Sequence, residues 1–318
     1  MLFRYTKAIC TFVCASACLL FCAQAQAKDL SIIATNFPQY DLVRHIVGDK
    51  AKVQMLLKLG AEAHSFEPTP KDLIAIQSSD LFVYNGGEND EWIEPLLESS
   101  DKKLNTFAFT KAVSLREEEE KDGMEKEHDH DDEDEADDEH EEIEYDEHVW
   151  TSPLNDIRIL KELSSKVIAL DPENKAYYEA NTNAYIKEFE EIDSNYKAII
   201  NKAKHKTLIF GDRFPLLYFV KDYGLDYFAA FKGCSNETEV SAATVKFLID
   251  KAKTNKVPVI FKIELTNDAI AKTIAEAVDA KVLTFNTGHN LSVEQFEKGT
   301  SLTDLFKLNY AVLKEALN

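Results

Sequence analysis

GAEAHSFEPTP, at residues 60–70, places one histidine, His64, on a stiff loop. The loop follows a short apolar run at 53–59 that is typical of a buried strand, and it precedes a helical pattern. Pro68 and Pro70 fix their own φ angles and favour extended conformations at the residues before them, so the loop loses little entropy when a ligand holds the imidazole. Because α/β folds bind ligands beyond the carboxyl ends of strands, His64 is a candidate ligand-binding residue. The alternative for this residue taken alone is a hydrogen-bonded surface or cleft histidine.

Residues 1–27 have the pattern of a secretory signal, with two basic residues, an apolar run at 8–21 and the small-residue motif AQA at 25–27. The apolar run is shorter than the roughly 20 residues that a membrane span needs. We expect cleavage after residue 27 and a periplasmic mature protein. Anchoring as a lipoprotein through Cys22 is the alternative, and the bulky Phe21 before that cysteine disfavours it.

Cysteine use agrees with an exported chain that relies on core burial. Four of the five cysteines lie in the signal segment, and the mature chain keeps only Cys234, which cannot form an internal disulfide. The mature chain has roughly 290 residues, enough for two domains.

Negative charge is concentrated in one stretch. The chain has a net charge of −21, and residues 117–147 hold 21 acidic residues against two lysines, so −19 lies there and −2 remains elsewhere. With almost nothing apolar to bury, this stretch is predicted to be a disordered loop, and His128, His130 and His140 give it the composition of a low-affinity cation collector. The alternative is a solvating insertion with incidental histidines. The chain shows no basic patch, so we expect no nucleic-acid partner.

Strand and helix patterns alternate along residues 28–116, with residues 148–171 completing that unit, and alternate again along 205–318. This alternation of strands and helices predicts an α/β protein of two βαβ lobes with parallel-type sheets. Residues 172–204 between them carry apolar side chains at a period close to 3.6, which predicts one rigid linking helix about 50 Å long. A kinked or broken pair of helices is the alternative.

A second candidate, His148, follows the acidic stretch in the motif EHVWTSP at 147–153. Trp150 on one side and a Ser-Pro pair that can begin the next helix indicate an ordered position. A histidine held in place beside a cation-collecting stretch is a candidate metal ligand, and His148 and His64 support each other in that role.

Four features together resemble the zinc and manganese receptors of bacterial ABC importers: Gly-x-x-x-His-x-Phe-Glu-Pro-Thr-Pro at 60–70, the acidic histidine-containing insertion, His148-Val-Trp-x-Ser-Pro, and the long central helix. The resemblance covers nearly all of the mature chain. It implies a monomeric two-lobed receptor that holds one transition metal in the interlobe cleft and delivers it to an ABC permease in the inner membrane. It also implies that His64 and His148 are the amino-lobe ligands, and the acidic loop is similar to that of the zinc members.

The carboxyl lobe departs from the pattern of these receptors. They place a third histidine or a glutamate where this chain has Gly211, and the usual aspartate after the last strand is missing from FNTGHN at 285–290. His289 in that segment follows a strand, and Gly288 gives its backbone freedom, so we expect it to replace the missing ligand. A surface-loop histidine is the alternative.

Three neutral imidazoles suit Zn²⁺, with a carboxylate or water completing a tetrahedral site. The fourth ligand stays open among Asp212, Glu239, Glu264 and water. Glu67 is expected to hydrogen-bond a ligand imidazole. His205, before its strand, and Cys234, without a partner cysteine, are not expected to bind the metal.

The leading hypothesis is a non-enzymatic receptor that captures Zn²⁺ as its transported ligand. A manganese or iron receptor of the same type is the first alternative. A metal-dependent hydrolase and a surface adhesin are alternatives of another class, and the sequence lacks HExxH, GxSxG and nucleotide-loop motifs that would support an enzyme.

Overall fold

The computed structural model describes residues 30–64, 66–99, 103–125, 144–233, 235 and 239–318. The predicted signal segment, the centre of the acidic stretch and Cys234 lie outside the described residues. Over the part that is described, no helix has both the length and the apolar character that a membrane crossing requires.

The amino lobe is built on a parallel sheet of four strands in the order β2-β1-β3-β4. Its strands are β1 (Leu30–Ala34), β2 (Ala51–Met55), β3 (Leu81–Tyr84) and β4 (Thr106–Ala108). Its first helices are α1 (Phe37–Val47), α2 (Pro70–Ser78) and α3 (Ile93–Glu98). All four residues of β3 are buried, as expected for a strand covered on both faces. Thr69 caps α2 through a reciprocal pair of bonds with Asp72, so the loop that carries His64 ends at a fixed point.

A short hairpin and one further helix complete the amino lobe. The hairpin pairs β5 (Arg116–Glu117) with β6 (Tyr145–Asp146) in antiparallel fashion. It is followed by α4 (Pro153–Leu170), whose amino-terminal N–H groups bond to the Ser152 hydroxyl.

The carboxyl lobe repeats the design, with a parallel sheet in the order β10-β9-β7-β8. Its strands are β7 (Thr207–Arg213), β8 (Asp226–Phe231), β9 (Val259–Ile263) and β10 (Lys281–Phe285). Its helices are α6 (Leu217–Tyr223), α7 (Ala242–Asn255), α8 (Ala269–Val278), α9 (Val293–Glu297) and α10 (Leu302–Ala316).

One long helix, α5 (Lys175–Ile200), links the two sheets, and the predicted fold class is confirmed. The helix is shorter than the predicted 172–204, because Pro172–Asn174 forms a separate 3₁₀ turn and the α-helix ends at residue 200. Its 26 residues span about 39 Å. It packs against α1 and α4 of one lobe and α10 of the other, and the largest apolar core runs through both lobes.

Part of the stretch predicted as a disordered loop has defined contacts. Residues 118–125 lie on the carboxyl lobe, where Glu125 N donates to Ala230 O at 2.8 Å and Met124 is buried. Lys121 forms an ion pair with Asp226 and lies 4.3 Å from the centre of the Tyr227 ring. The acidic composition of the whole stretch gave no indication that Met124 and Lys121 make such contacts, which are typical of an ordered segment.

Candidate metal centre

His64 lies in the loop between β2 and α2 and is partly buried. Asn89 Nδ2 donates a hydrogen bond to its Nδ1 at 2.9 Å. An amide nitrogen can only donate, so the Nδ1 lone pair is the acceptor in this contact. Glu67, the residue expected to contact a ligand imidazole, is exposed, and Asn89 occupies that role on His64.

His148 is fully buried at the start of a 3₁₀ turn, Val149–Thr151, that leads into α4. Asp146 Oδ1 accepts the backbone N–H of His148 at 2.8 Å and lies 3.3 Å from Nδ1 of the ring. The carboxylate therefore holds the ring proton on Nδ1 and leaves the Nε2 lone pair for a ligand. Burial alone would lower the pKa of His148, but the charge and hydrogen bond of Asp146 outweigh it and raise the pKa.

His289 lies in the loop after β10, where Thr287 Oγ1 is 2.6 Å from its Nδ1. Its Nε2 is buried and has no hydrogen-bond partner among the described residues. Leaving a buried polar nitrogen without a partner is costly, so this atom is suited to receive an ion.

The structure brings the three histidines together from both lobes. Their ring centroids are 5.5 Å apart for His64 and His148, 5.2 Å for His64 and His289, and 4.9 Å for His148 and His289. One ligand nitrogen of each lies within 4.8 Å of the others. A tetrahedral Zn²⁺ site needs nitrogens about 3.3 Å apart, so small side-chain movements suffice.

The histidine cluster keeps two of its rings neutral. Burial, with the charges of His148 and Arg213, lowers the pKa of His64 to about 4. Burial and the same neighbours lower the pKa of His289 well below its ordinary value. A metal binds the neutral imidazole, so these two candidate ligands need not lose a proton at neutral pH.

The carboxylates considered for the fourth position have other partners or lie elsewhere. Asp212 Oδ2 accepts from Ile263 N at 3.1 Å and from Thr266 Oγ1 at 2.5 Å. Glu264 accepts hydrogen bonds from the loop that holds His289, and Glu239 is exposed. Within the described part of the chain, no carboxylate joins the three histidines in one group.

Gly211 shows why the carboxyl lobe lacks a ligand there. A Cβ at this position would lie 2.5 Å from the Ala271 Cα and 2.6 Å from its backbone nitrogen. The strand packs so closely on α8 that no side chain fits, and His289 comes from a different strand end. His205, set aside from the sequence, precedes β7 and donates its backbone N–H to Leu317 O at 3.4 Å, apart from the cluster.

An ion pair joins the two lobes beside the histidine cluster. Arg213 Nη2 is 2.9 Å from Glu62 Oε2, and both residues line a cavity of about 100 Å³ together with His64 and His289. Glu62 offsets the charge of Arg213, which would otherwise repel a cation entering this cavity.

Sequence reasoning missed the residues that orient the ligand rings. Asp146 stands two residues before His148 and could have been found from that spacing. Asn89 and Thr287 have no sequence signal, because their roles depend on hydrogen bonds that only the folded loops create.

The comparisons agree with these observations. The family model described as ZnuA, zinc-uptake complex component A, periplasmic, matches residues 32–316. The chain is 35% identical over 301 residues to the high-affinity zinc uptake system protein ZnuA of Bacillus subtilis, covering 93% of this chain and 90% of that protein. It is 30% identical over 310 residues to the zinc-binding lipoprotein AdcA of Streptococcus pneumoniae strain R6, covering 95% of this chain but only 59% of AdcA.

Solved structures have the same fold. The metal-dependent lipoprotein YcdH from Bacillus subtilis matches with a TM-score of 0.75 and 31% identity, covering 91% of this chain and 99% of that one. The Zn(II)-bound ZnuA-like domain of Streptococcus pneumoniae AdcA matches with a TM-score of 0.74 and 28% identity, covering 91% and 99%. The resemblance drawn from the motifs is thus confirmed, and the chain belongs to the ZnuA family of zinc-uptake components.

Proposed function

We propose that this protein captures Zn²⁺ outside the cytoplasm through His64, His148 and His289 and delivers it to an ABC-type permease. The observation that carries the proposal is the meeting of three imidazoles, two of them from the amino lobe and one from the carboxyl lobe, within reach of one ion. Zinc is cargo here, so the site must bind it tightly and also release it. Members of this family are solute-binding receptors and not enzymes.

The ligand set favours zinc over manganese. Imidazole nitrogen suits Zn²⁺, whereas manganese prefers carboxylate, carbonyl and water oxygens. The cluster contributes three nitrogens and, among the described residues, no carboxylate. An open fourth position filled by water also suits an ion that must be exchanged.

We extend the proposal to organisation and location. Residues 1–27 act as a signal peptide, and the mature protein works as a periplasmic monomer with lobes at 28–116 with 148–171 and at 205–318, joined by 172–204. The high net negative charge of residues 117–147 supports a role for that stretch in collecting cations. Anchoring through Cys22 remains the alternative, since relatives include lipoproteins.

Metal analysis of the purified protein tests the proposal, combined with competition titrations of Zn²⁺, Mn²⁺ and Fe²⁺ against a chelator. We expect one tightly bound zinc per chain and weaker binding of the other two ions. A strain lacking the gene should then grow poorly in zinc-depleted medium and recover with added zinc. Tighter binding of manganese, or turnover of a substrate by the zinc-loaded protein, would overturn the proposal.

A further inference from the structure

Glu264 collects three hydrogen bonds from the loop that carries His289. It stands directly after β9, and its Oε2 accepts the Thr287 backbone N–H at 2.6 Å. Its Oε1 accepts the Gly288 N–H at 2.8 Å and the Thr287 hydroxyl at 2.7 Å. One carboxylate therefore fixes both the backbone and the hydroxyl orientation of this loop.

The direction of these bonds determines where His289 carries its proton. The Thr287 hydroxyl has a single hydrogen, and it donates that hydrogen to Glu264. Its oxygen can then only accept from His289 Nδ1, 2.6 Å away, so Nδ1 is the protonated nitrogen. The lone pair of the neutral ring is left on Nε2, the buried atom without a partner among the described residues.

We propose that Glu264 and Thr287 are positioning residues for zinc capture, which hold His289 in the Nδ1–H tautomer and so direct the Nε2 lone pair to the ion. The inference rests on the function proposed above. It gives Glu264 a role exerted through Thr287 and His289 in place of the direct ligation considered from the sequence. The carboxylate also makes the imidazole a stronger donor to the metal, because it polarises the hydroxyl that accepts the ring N–H.

We call the chain of hydrogen bonds from His289 through Thr287 to Glu264 the relay. It orients the histidine ring of the carboxyl lobe as Asp146 orients His148 in the amino lobe. There a carboxylate accepts the ring N–H directly. At His289 the carboxylate of Glu264 does not accept from the ring directly. The Thr287 hydroxyl lies between the two and bonds to both. In the neutral ring of each of these two histidines, the proton is therefore held on Nδ1 and the lone pair is left on Nε2.

The test compares Thr287→Val, which keeps the shape of threonine without the hydroxyl, with Thr287→Ser, which keeps the hydroxyl. Partners beyond the ligands are commonly worth about 10- to 100-fold in metal affinity. We expect Thr287→Val to weaken zinc binding in that range, measured by chelator competition, and Thr287→Ser to stay within about threefold of the parent. The visible absorption of the Co²⁺-substituted protein should change in Thr287→Val and be restored in Thr287→Ser.

Thr266→Val is the matched control, because Thr266 also donates its hydroxyl to a carboxylate, Asp212, in the same lobe but outside the histidine cluster. It should leave zinc affinity and the Co²⁺ spectrum unchanged. Should Thr287→Val fail to fold, Glu264→Gln provides the second measurement and should weaken zinc binding about tenfold.

The outcomes separate the relay from the proposed function. Parent protein that binds no zinc would overturn the function itself. Parent protein that binds zinc, with Thr287→Val or Glu264→Gln binding it equally well, would overturn only the relay. The relay is also overturned if Thr287→Ser is as impaired as Thr287→Val, since the loss would then reflect packing of the loop.

Discussion

Asn290 extends from the carboxyl lobe to the amino lobe, where its Nδ2 donates a hydrogen bond to the backbone oxygen of Ala61 at 2.9 Å. The same amide donates to Lys58 O at 2.7 Å, and the residue is only 1% exposed. Ala61 and Lys58 belong to the loop of His64, and Asn290 directly follows His289. The loops that carry His64 and His289 are therefore joined across the two lobes in the absence of a metal, so an ion bound by the proposed site would not bear the full entropic cost of bringing them together.

Asn290→Asp should weaken zinc binding by about tenfold or more, about 1.4 kcal/mol. The substitution keeps the size of the side chain but points carboxylate oxygen at two carbonyl oxygens, so both hydrogen bonds are lost and the loops separate. Stopped-flow measurement of zinc transfer to a chelator should show a faster dissociation rate. Asn181→Asp is the control, since Asn181 Nδ2 donates to Ile46 O at 3.1 Å between α5 and α1. Equal dissociation rates in the parent and Asn290→Asp would contradict this prediction.

His289→Ala should also lower zinc affinity by about tenfold or more, about 1.4 kcal/mol. His289 supplies the carboxyl-lobe nitrogen of the cluster, and within the described residues no carboxylate stands ready to replace it. Equilibrium competition with a chelator measures the loss, and His205→Ala should bind zinc like the parent. If His289→Ala retained full affinity while Asp212→Ala or Glu239→Ala lost it, the ligand set would be wrong and the preference for zinc would lose its basis.

The fold was predictable because its cause is local. Buried strands such as β3 are short apolar runs, and amphipathic helices such as α4 follow them with recognisable first turns. That His64, His148 and His289 lie close together was predictable in part, since each lies in a loop between a strand and the helix that follows it, where α/β folds bind ligands.

What the sequence did not predict depends on contacts between distant segments. Asn290 bonds to Ala61 and Thr287 bonds to Glu264, and both partners are distant along the chain. Asparagine and threonine are also common in any loop, so their residue types give no signal. Residues 118–125 were assigned to a disordered loop because charge dominates their composition. In that segment Met124 is buried and Lys121 lies over the ring of Tyr227. Composition alone does not show these contacts.

Replacing residues 127–142 with a glycine–serine linker of equal length should keep the tight zinc site and reduce the number of weakly bound ions. That stretch holds acidic residues and histidines in the sequence but none of the three clustered ligands. Calorimetric titration distinguishes the two kinds of site. Disappearance of the tightest binding event would show that the stretch contributes to the main site.

Extending that replacement to residues 118–125 should lower the stability of the protein by about 2 kcal/mol. Met124 would lose its burial, and Gly233 N would lose Glu118 Oε1 as its acceptor at 3.2 Å. Thermal denaturation of the metal-free protein provides the measurement. An unchanged melting temperature would mean that the contacts of this segment contribute nothing to the stability of the folded protein.

Zinc binding at pH 5.5 should release about one proton per ion. The pKa of His64 is lowered to about 4 by burial and neighbouring positive charge, and burial keeps His289 neutral as well. Only His148, whose pKa Asp146 raises against the effect of burial, carries a proton that zinc must displace. Three imidazoles with the ordinary pKa of 6.5 would instead carry and release about 2.7 protons at this pH.

The sign of the pH dependence follows from the same groups. Zinc affinity should fall as the pH drops below the raised pKa of His148, by about tenfold per pH unit because a single proton competes. It should fall more steeply only near pH 4, where His64 begins to take up a proton. Calorimetry in buffers of different ionisation enthalpy counts the released protons directly. A release of two or three protons at pH 5.5 would mean that the rings of His64 and His289 are exposed to water and have ordinary pKa values. The lobes would then be open before zinc binds.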